Sequence, residues 1–307
     1  MIPYQMHTHN FMGLTSNPRL PFAVVGVPFD GATSYRAGAR MGPEGIRQAS
    51  RMLVDGVHPV WHADLTTQVQ DAGNFTCVNN MTQAHAQILS QATTLLNTGV
   101  HMVAMGGDHS ITTPLIQAHA SVHGKLAVLH LDAHCDTWSD HFGEPRGHGT
   151  WVRDVVESGW VHADHMVSLG IRSPTCVHAQ SYLKHRGGRT LSAQDVFWYN
   201  PVHIAHDVRE KLADLPVYLS VDIDVLDPAH APGTGTPEAA GLSMIWVQCF
   251  LRHLFLHDRP VHFVGMDIVE VAPAYDHHEI TSLAAATLMW EYLSAQCAIK
   301  GANVTKM

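Results

Sequence analysis

Two short stretches place carboxylates and an imidazole at alternate positions, each directly after an apolar run. Asp132, His134 and Asp136 stand in LDAHCDTWSD, and Asp222 and Asp224 stand in SVDIDVLDP. Because side chains alternate faces in an extended chain, the members of each set point to one side. Buried carboxylates are very costly without a counter-charge, so the spacing predicts a divalent metal site rather than a strand end with solvated acids.

A third stretch, GGDHS, adds His109 at the end of another apolar run. The candidate set then has four carboxylates and two imidazoles, too many protein ligands for one zinc ion. Two divalent ions (+4) balance four aspartates (−4), and a bridging hydroxide leaves −1, which suits a cationic substrate such as a guanidinium. Oxygen-rich ligation favours Mn²⁺, with Ni²⁺ or Co²⁺ as alternatives, and the metal would hold water as hydroxide near neutral pH. The predicted metal ligands are His109, Asp132, His134, Asp136, Asp222 and Asp224.

Apolar runs alternate with helical patterns along the chain, and this order indicates how the candidate ligands are positioned. The predicted strands are 21–28, 100–105, 125–130, 165–170, 216–224 and 261–269. The predicted helices are 43–53, 81–98, 112–122, 151–159, 177–184, 202–212, 242–256 and 279–298. Strands that are apolar on both faces are typical of an α/β protein with a parallel sheet covered on both sides. Ligands gather at the carboxyl ends of such strands, where the candidates stand.

The domain organisation predicted from these patterns is a single catalytic domain over residues 21–300. Residues 1–20 are polar and are expected to form an irregular N-terminal arm that lies on a neighbouring subunit. Residues 301–307 are expected to form a C-terminal tail.

Composition excludes several classes of protein. The 307 residues carry a formal net charge of −9 without a basic cluster, which argues against a nucleic-acid partner. The five cysteines form no CxxC pair and no disulfide framework, as expected in the cytoplasm. We find neither a signal-peptide pattern nor an apolar run of about 18 residues, so no membrane partner is expected.

Five motifs, taken together, resemble the ureohydrolase family of arginases and agmatinases. Four of them are GGDHS (106–110), DAHCD (132–136), SVDIDVLDP (220–228) and GMDIVEVAPAYD (265–276), and GVPFDGATSYRAGARMGPEGIR (26–47) resembles the agmatinase branch. The resemblance implies a three-layer α/β/α fold around a mostly parallel eight-stranded sheet, a binuclear manganese centre, and trimers or hexamers. It also implies hydrolysis of a guanidinium C–N bond by a metal-bridging hydroxide, releasing urea or a substituted urea with an amine or ammonia.

The resemblance also implies a role for each matched residue. One metal would be held by His109, Asp132, Asp136 and Asp222, and the other by Asp132, His134, Asp222 and Asp224, so that Asp132 and Asp222 bridge. Glu270 matches the carboxylate that holds the guanidinium, and His148 in GHGT matches a histidine that shuttles protons. Asp136 lies where the family relays a proton to the leaving amine, and Asp108 is expected to orient His109.

Two tryptophans depart from the pattern of the agmatinase branch. Trp138 stands where a tyrosine is usual, and Trp151 directly follows GHGT. We expect both to line the substrate site, with packing beneath the loop as the alternative. Indole faces hold alkylated cations well, which would favour guanidine or an N-alkylated biguanide such as metformin over agmatine. Small-guanidine relatives are expected to favour nickel. Cys135 replaces a usual threonine and is expected to face away from the metal.

Two other functions fit parts of the sequence. A deacetylase-like amidase with a single zinc is one, but His109 and Asp136 are ligands that such an enzyme would lack. A non-catalytic or regulatory subunit of a hetero-oligomer is the other, and the complete ligand set argues against it. The homo- or hetero-oligomeric state is left open by the sequence.

Overall fold

Eight strands form one sheet in the computed structural model, which describes residues 10–54, 57–256 and 260–304, with side chains as far as residue 301. The strands are β1 (Phe22–Gly26), β2 (Val69–Asn74), β3 (His101–Met105), β4 (Leu126–Leu131), β5 (Val161–Ile171), β6 (Arg189–Ser192), β7 (Val217–Asp222) and β8 (Phe263–Val269). Their order is β2-β1-β3-β8-β7-β4-β5-β6, and every pair of neighbours is parallel.

Helices cover both faces of this sheet. They are α1 (Gly42–Ala49), α2 (Met81–Leu96), α3 (Thr112–His123), α4 (Trp151–Glu157), α5 (Val177–Ser181), α6 (Ala193–Phe197), α7 (Pro201–Leu212), α8 (Met244–Phe255) and α9 (Ile280–Val304). Alternate residues of β4 enter different cores: Leu129 packs in the core with α7, α8 and α9, and Val128 in the core with α2, α3 and α4. The predicted three-layer α/β/α fold with an eight-stranded sheet is therefore confirmed. Within the described residues, we find no helix whose length and apolarity would let it cross a membrane.

The two edge strands, β2 and β6, were not predicted as strands. β2 has the sequence VQDAGN and exposes its last three residues, and β6 has the sequence RTLS with one buried residue, Leu191. Edge strands pair on one side only and carry little of the apolar alternation by which a strand is recognised. The predicted helix at 43–53 ends as an α-helix at Ala49 and continues as a 3-10 turn.

The predicted chain ends differ from the structure. Phe11 and Leu14 are buried in the chain's own core, and the Phe11 N–H donates to Asp71 at 2.6 Å. Residues 10–14 therefore pack on the domain itself rather than standing apart as an arm, while residues 1–9 lie outside the described part, and the contact with a neighbouring subunit stays a prediction. At the other end α9 continues to Val304, so residues 301–304 are helical rather than a tail, and 305–307 are again outside the described residues.

The sheet order brings the candidate residues to one place. β3, β8, β7 and β4 are consecutive neighbours at the centre of the sheet. Because all four strands are parallel, the segments that follow them meet at the same edge. His109 follows β3, Glu270 follows β8, Asp222 ends β7, and Asp132 follows β4.

Candidate active site

Close backbone contacts fix the turn that carries His109. A Cβ on Gly107 would lie 1.8 Å from the Phe29 carbonyl oxygen, so only glycine fits there. The Gly107 carbonyl accepts a 2.8 Å hydrogen bond from the Glu270 N–H, and the Glu270 carboxylate accepts one of 2.9 Å from the His109 N–H. The ends of β3 and β8 are thus joined through the two residues that reach the site.

Three carboxylates converge on one nitrogen of His109. Its Nδ1 lies 3.1 Å from Asp132 Oδ2, 3.2 Å from Asp136 Oδ2 and 3.1 Å from Asp222 Oδ2. An imidazole N–H can donate a well-aligned hydrogen bond to only one of these oxygens, whereas a cation can bind all three carboxylates and the imidazole nitrogen. This arrangement fits a divalent metal ion.

The other nitrogen of His109 is held so that Nδ1 is free to bind a metal. His109 Nε2 lies 2.8 Å from Ser220 Oγ, and that hydroxyl donates its proton to Asp267 at 2.7 Å. Ser220 must therefore accept from Nε2–H, which leaves the lone pair on Nδ1. Asp108 was predicted to orient His109, and this prediction is wrong. Asp108 instead accepts hydrogen bonds from the Ala32 N–H and the Ser110 hydroxyl.

A second group of ligands adjoins the first and shares Asp132. His134 Nδ1 lies 3.0 Å from Asp224 Oδ2 and 3.3 Å from Asp132 Oδ1. Asp224 accepts a 3.0 Å hydrogen bond from the Ala133 N–H and Asp222 one of 2.9 Å from the Asp224 N–H, so the ends of β4 and β7 hold each other. Five of the six predicted metal ligands thus lie in two groups that share Asp132, and the sixth, Asp222, adjoins the first group through its 3.1 Å contact with His109.

The electrostatics of the cluster also favour a cation. Burial and the nearby Asp132 charge raise the pKa of Asp136 to about 8. Burial and the charges of Asp224 and Asp132 raise the pKa of Asp222 well above its ordinary value. These carboxylates repel one another in a site with little water, and divalent ions would relieve that repulsion. The residues present therefore fit divalent metal ions.

His130 belongs to the site and was missed by the sequence reasoning. It is fully buried on β4, two residues before Asp132, and its Nε2 lies 2.7 Å from Asp132 Oδ2. Its Nδ1 lies 3.1 Å from the Ser168 hydroxyl. Since the carboxylate can only accept, His130 donates to it and orients it. The alternation that selected Asp132, His134 and Asp136 also includes His130, which would have been found by extending the pattern backwards.

The two tryptophans have different environments. Trp151 is completely buried, donates its indole N–H to Asp136 Oδ2 at 2.7 Å, and stacks on His109 with 4.9 Å between ring centroids. Its predicted place in the wall of the substrate site is wrong, because α4 begins at this residue and directs the ring beneath the ligands. Trp138 does line the cavity, and its ring lies against Gly149, where a Cβ would approach within 3.0 Å.

Glu270 and His148 meet beside the metal ligands. Glu270 has φ +62°, and its Oε1 lies 2.9 Å from His148 Nδ1. Its Oε2 is buried and has no hydrogen-bond partner among the described residues. Burial alone would lower the pKa of His148, but Glu270 raises it to about 9. The Ser34 hydroxyl, 2.8 Å from His148 Nε2, can donate or accept and so serves either protonation state.

A cavity of about 490 Å³ opens above the predicted metal ligands and is bordered by His148, whereas Glu270 is buried beside it and does not line it. His109, His134, Asp136 and Asp222 form its floor, and residues 138–142 supply much of its outer wall. Cys135 is buried, does not line the cavity, and receives a 3.2 Å contact from the Thr137 hydroxyl.

Comparison with known proteins gives a consistent result. The Arginase family model matches residues 20–294. An agmatinase of Serratia proteamaculans (strain 568) is 40% identical over 301 residues, covering 95% of this chain and 92% of its own, and one of Salmonella typhi is 41% identical over 284 residues, covering 91% and 89%.

Two solved structures are also similar. A hypothetical agmatinase from Burkholderia thailandensis superposes with a TM-score of 0.88 at 36% identity, covering 96% of this chain and 92% of its own. Proclavaminate amidino hydrolase from Streptomyces clavuligerus gives a TM-score of 0.87 at 36% identity, with coverages of 95% and 97%.

Proposed function

The chain belongs to the arginase family, hydrolases that act on C–N bonds of linear amidines, and from that premise we propose that it cleaves a guanidinium C–N bond at the cavity floor. The products would be urea or a substituted urea, with an amine or ammonia. The observation that carries the proposal is the convergence of His109, His134 and four aspartates beside Glu270, whose buried Oε2 has no partner among the described residues.

The ligand set would hold two divalent ions, Mn²⁺ or Ni²⁺. One would bind His109, Asp132, Asp136 and Asp222, and the other Asp132, His134, Asp222 and Asp224. When bound, the ions would supply an activated water as the nucleophile. His130 and Ser220 support this proposal, because they orient Asp132 and His109 towards the shared space.

The protein residues would bind the guanidinium and move protons. Glu270 Oε2, which has no partner among the described residues, would accept one guanidinium N–H, and Oε1 would accept a second in place of its 2.9 Å contact with His148 while it keeps the hydrogen bond from the His109 N–H. A bidentate contact of this kind fixes a planar cation in position and in orientation. His148 can carry a proton on Nδ1 to the leaving amine, and Asp136, held by the Trp151 N–H, is the alternative donor.

Agmatine is the first candidate substrate, because the curated relatives are agmatinases. The cavity has room for an alkyl amine, and the exposed Asp140 in its wall offers a carboxylate to a terminal ammonium. A compact or N-alkylated guanidine, such as guanidine or metformin, is the second candidate. Trp138 favours it, since its indole in the cavity wall can hold an alkylated cation. Trp151 gives no support to this candidate, because its ring is buried and does not line the cavity.

A panel of substrates tests both candidates. Protein loaded in turn with Mn²⁺ and Ni²⁺ is assayed for kcat/KM on agmatine, 4-guanidinobutyrate, guanidine and dimethylbiguanide. Asp140→Asn should selectively weaken agmatine turnover if agmatine is the substrate, and Trp138→Tyr should selectively weaken turnover of the alkylated compound if that is the substrate. No urea or substituted urea from any compound, with two metals bound per chain, would contradict catalysis by the isolated chain and favour a regulatory subunit.

Assembly into trimers or hexamers, with identical or related subunits, is part of the same proposal. The side chains of Phe197, Trp198 and Tyr199 support it, because three adjacent aromatic residues are exposed on the described surface. The cytoplasm is the proposed compartment, and the five free cysteines are consistent with a reducing environment.

A further inference from the structure

A second cavity lies at the opposite end of the sheet from the candidate active site. It has a volume of about 350 Å³ and is bordered by the amino ends of β3 and β8 and by the carboxyl ends of α3 and α9. β3 spans five residues, so the two ends of the sheet are separated by roughly 16 Å along this strand. Ligands of this cavity would not contact the metal cluster.

Two buried polar side chains form its inner wall. His101 is 6% exposed and Gln296 is 5% exposed. His101 Nε2 is 2.8 Å from the Tyr292 hydroxyl, but Gln296 Nε2 has no hydrogen-bond partner among the described residues. Buried N–H groups nearly always have an acceptor, and because Gln296 is a residue of the cavity wall, a bound molecule that contacts this side chain can supply one.

The outer wall is basic. His123 ends α3, His262 precedes β8, and Lys300 stands near the end of α9; all three are exposed and border the cavity. Lys300 Nζ lies 4.4 Å from the centroid of the Phe22 ring, which places the ammonium over the start of β1. Among the described residues that line the cavity, none is acidic. Five side chains with nitrogen-containing groups therefore line the cavity, and they come from β3, α3, α9 and the loop before β8. The described lining residues provide no negative charge to balance them.

Among the described residues that line the cavity, no carboxylate stabilises the charged form of His101 or His123. Burial and the Lys300 charge lower the pKa of His101 well below its ordinary value. Burial, His262 and Lys300 also lower the pKa of His123. An anion between these groups would accept hydrogen bonds from them and offset their mutual repulsion.

We propose that this cavity is a binding site for a small anion that carries a carboxylate or a phosphate group. Lys300, His123 and His262 would pair with the charge, while Gln296 Nε2 would donate to one of its oxygens. The volume lies within the range of small-molecule sites and exceeds what inorganic phosphate alone would fill, so the group would be attached to a small organic body.

Calorimetric titration of the full-length, metal-loaded protein with inorganic phosphate and, separately, with succinate tests the proposal. Phosphate, succinate or both should bind saturably, and the stronger of the two identifies the chemistry of the ligand. Lys300→Met should weaken that binding about tenfold or more, because a charged hydrogen-bond donor is removed. Lys125→Met is the matched control, since Lys125 is an exposed lysine just before β4 that does not border the cavity, and it should bind as the wild type does.

Gln296→Leu separates a ligand contact from a structural role. We expect weaker anion binding with an unchanged thermal midpoint of the anion-free protein, because the amide nitrogen has no partner to lose among the described residues. Saturable binding that Lys300→Met and Gln296→Leu leave unchanged would place the anion elsewhere, for instance at the metals, and overturn the proposal. Absence of saturable binding by either anion up to tens of millimolar would also overturn it.

Discussion

Individual side chains of the candidate active site are held by partners that are not among the six proposed metal ligands. Ser220 fixes His109, His130 fixes Asp132, and Trp151 fixes Asp136. Such partners commonly change metal affinity or activity by about 10–100-fold when they are removed. The types and alternation of the ligands could be predicted from the sequence because they follow strands. Ser220 and Trp151 could not, because they act through contacts between different elements.

Trp151→Phe tests the role of one such partner. Phenylalanine keeps the aromatic ring that packs on His109 but lacks the N–H that bonds Asp136. We expect kcat or metal affinity to fall about 10–100-fold with little change in the ranking of substrates. Trp138→Tyr is the comparison, because Trp138 lines the cavity and should alter that ranking instead. A change of ranking in Trp151→Phe would contradict this division of roles.

His148→Ala separates proton transfer from metal binding. His148 contacts Glu270 and Ser34 but none of the six proposed ligands within hydrogen-bond distance among the described contacts. We expect kcat to fall by about 10²–10⁴, the usual worth of a general acid or base, with metal content unchanged by elemental analysis. Asp132→Asn should instead lower metal content as well as activity, since Asp132 is common to both ligand groups. An unaltered kcat in His148→Ala would remove His148 from the mechanism.

At the scale of the elements, polar contacts join α9 to α8 and to the segment that precedes β2. Glu291 of α9 accepts hydrogen bonds from Arg252 of α8 at 2.7 Å and from the Trp61 indole at 2.6 Å, and it lies 3.3 Å from His58. The central strands were predictable because their apolar runs are continuous, whereas β2 and β6 were not, because polar residues fill half of β2 and most of β6. The packing of Phe11 and Leu14 was also missed, since a few apolar residues in a largely polar stretch form no periodic pattern.

Glu291→Gln should destabilise the fold in a pH-dependent manner. Burial would raise the pKa of Glu291, but His58, Arg252 and Trp61 together lower it to about 2. A depressed pKa stabilises the fold above the unfolded value of 4.5, and that stabilisation is lost as pH falls from 4.5 towards 2. At pH 7 the variant should lose about 3 kcal/mol of unfolding free energy in urea, and the difference from wild type should shrink towards pH 3.

Asp207→Asn provides the control for the Glu291 variant. Asp207 forms a 3.3 Å ion pair with Arg189, but its side chain is 52% exposed. Exposed ion pairs are typically worth less than about 1 kcal/mol, so this variant should differ little from wild type at any pH. Equal effects of the two variants would show that net charge, rather than the buried contacts of Glu291, determines the response.

For the whole molecule, the fold class and the position of the candidate site followed from the order of strands and helices. Parallel strands bring their carboxyl ends to one edge, so motifs 90 residues apart, such as those of Asp132 and Asp222, could be placed together from the sequence. The cavity at the other end of the sheet was not predicted. Its residues come from the starts of strands and the ends of helices, and no spacing in the sequence connects them.

Trp198→Glu tests whether the exposed aromatic residues form a subunit contact. Trp198 is 77% exposed beside Phe197 and Tyr199, and a carboxylate there would be strongly disfavoured in a desolvated interface. We expect a smaller mass by light scattering than for the wild type. Exposed Met52, which is distant in sequence, supplies a control as Met52→Glu. An unchanged mass in Trp198→Glu would mean that these residues lie outside the subunit contact.

The hydrogen bond between Trp151 and Asp136 also has a consequence for how specificity can evolve. It closes the base of the loop between them, and the Val152 N–H adds a 3.1 Å bond to the Asp136 carbonyl. The intervening residues 137–150 include Trp138, Asp140 and His148, so one continuous segment supplies much of the cavity wall. Because its two ends are held together, this segment can change in sequence or length between relatives without displacing the proposed metal ligands. A library that varies positions 138–147 would therefore sample new guanidino substrates while the residues at the cavity floor stay unchanged.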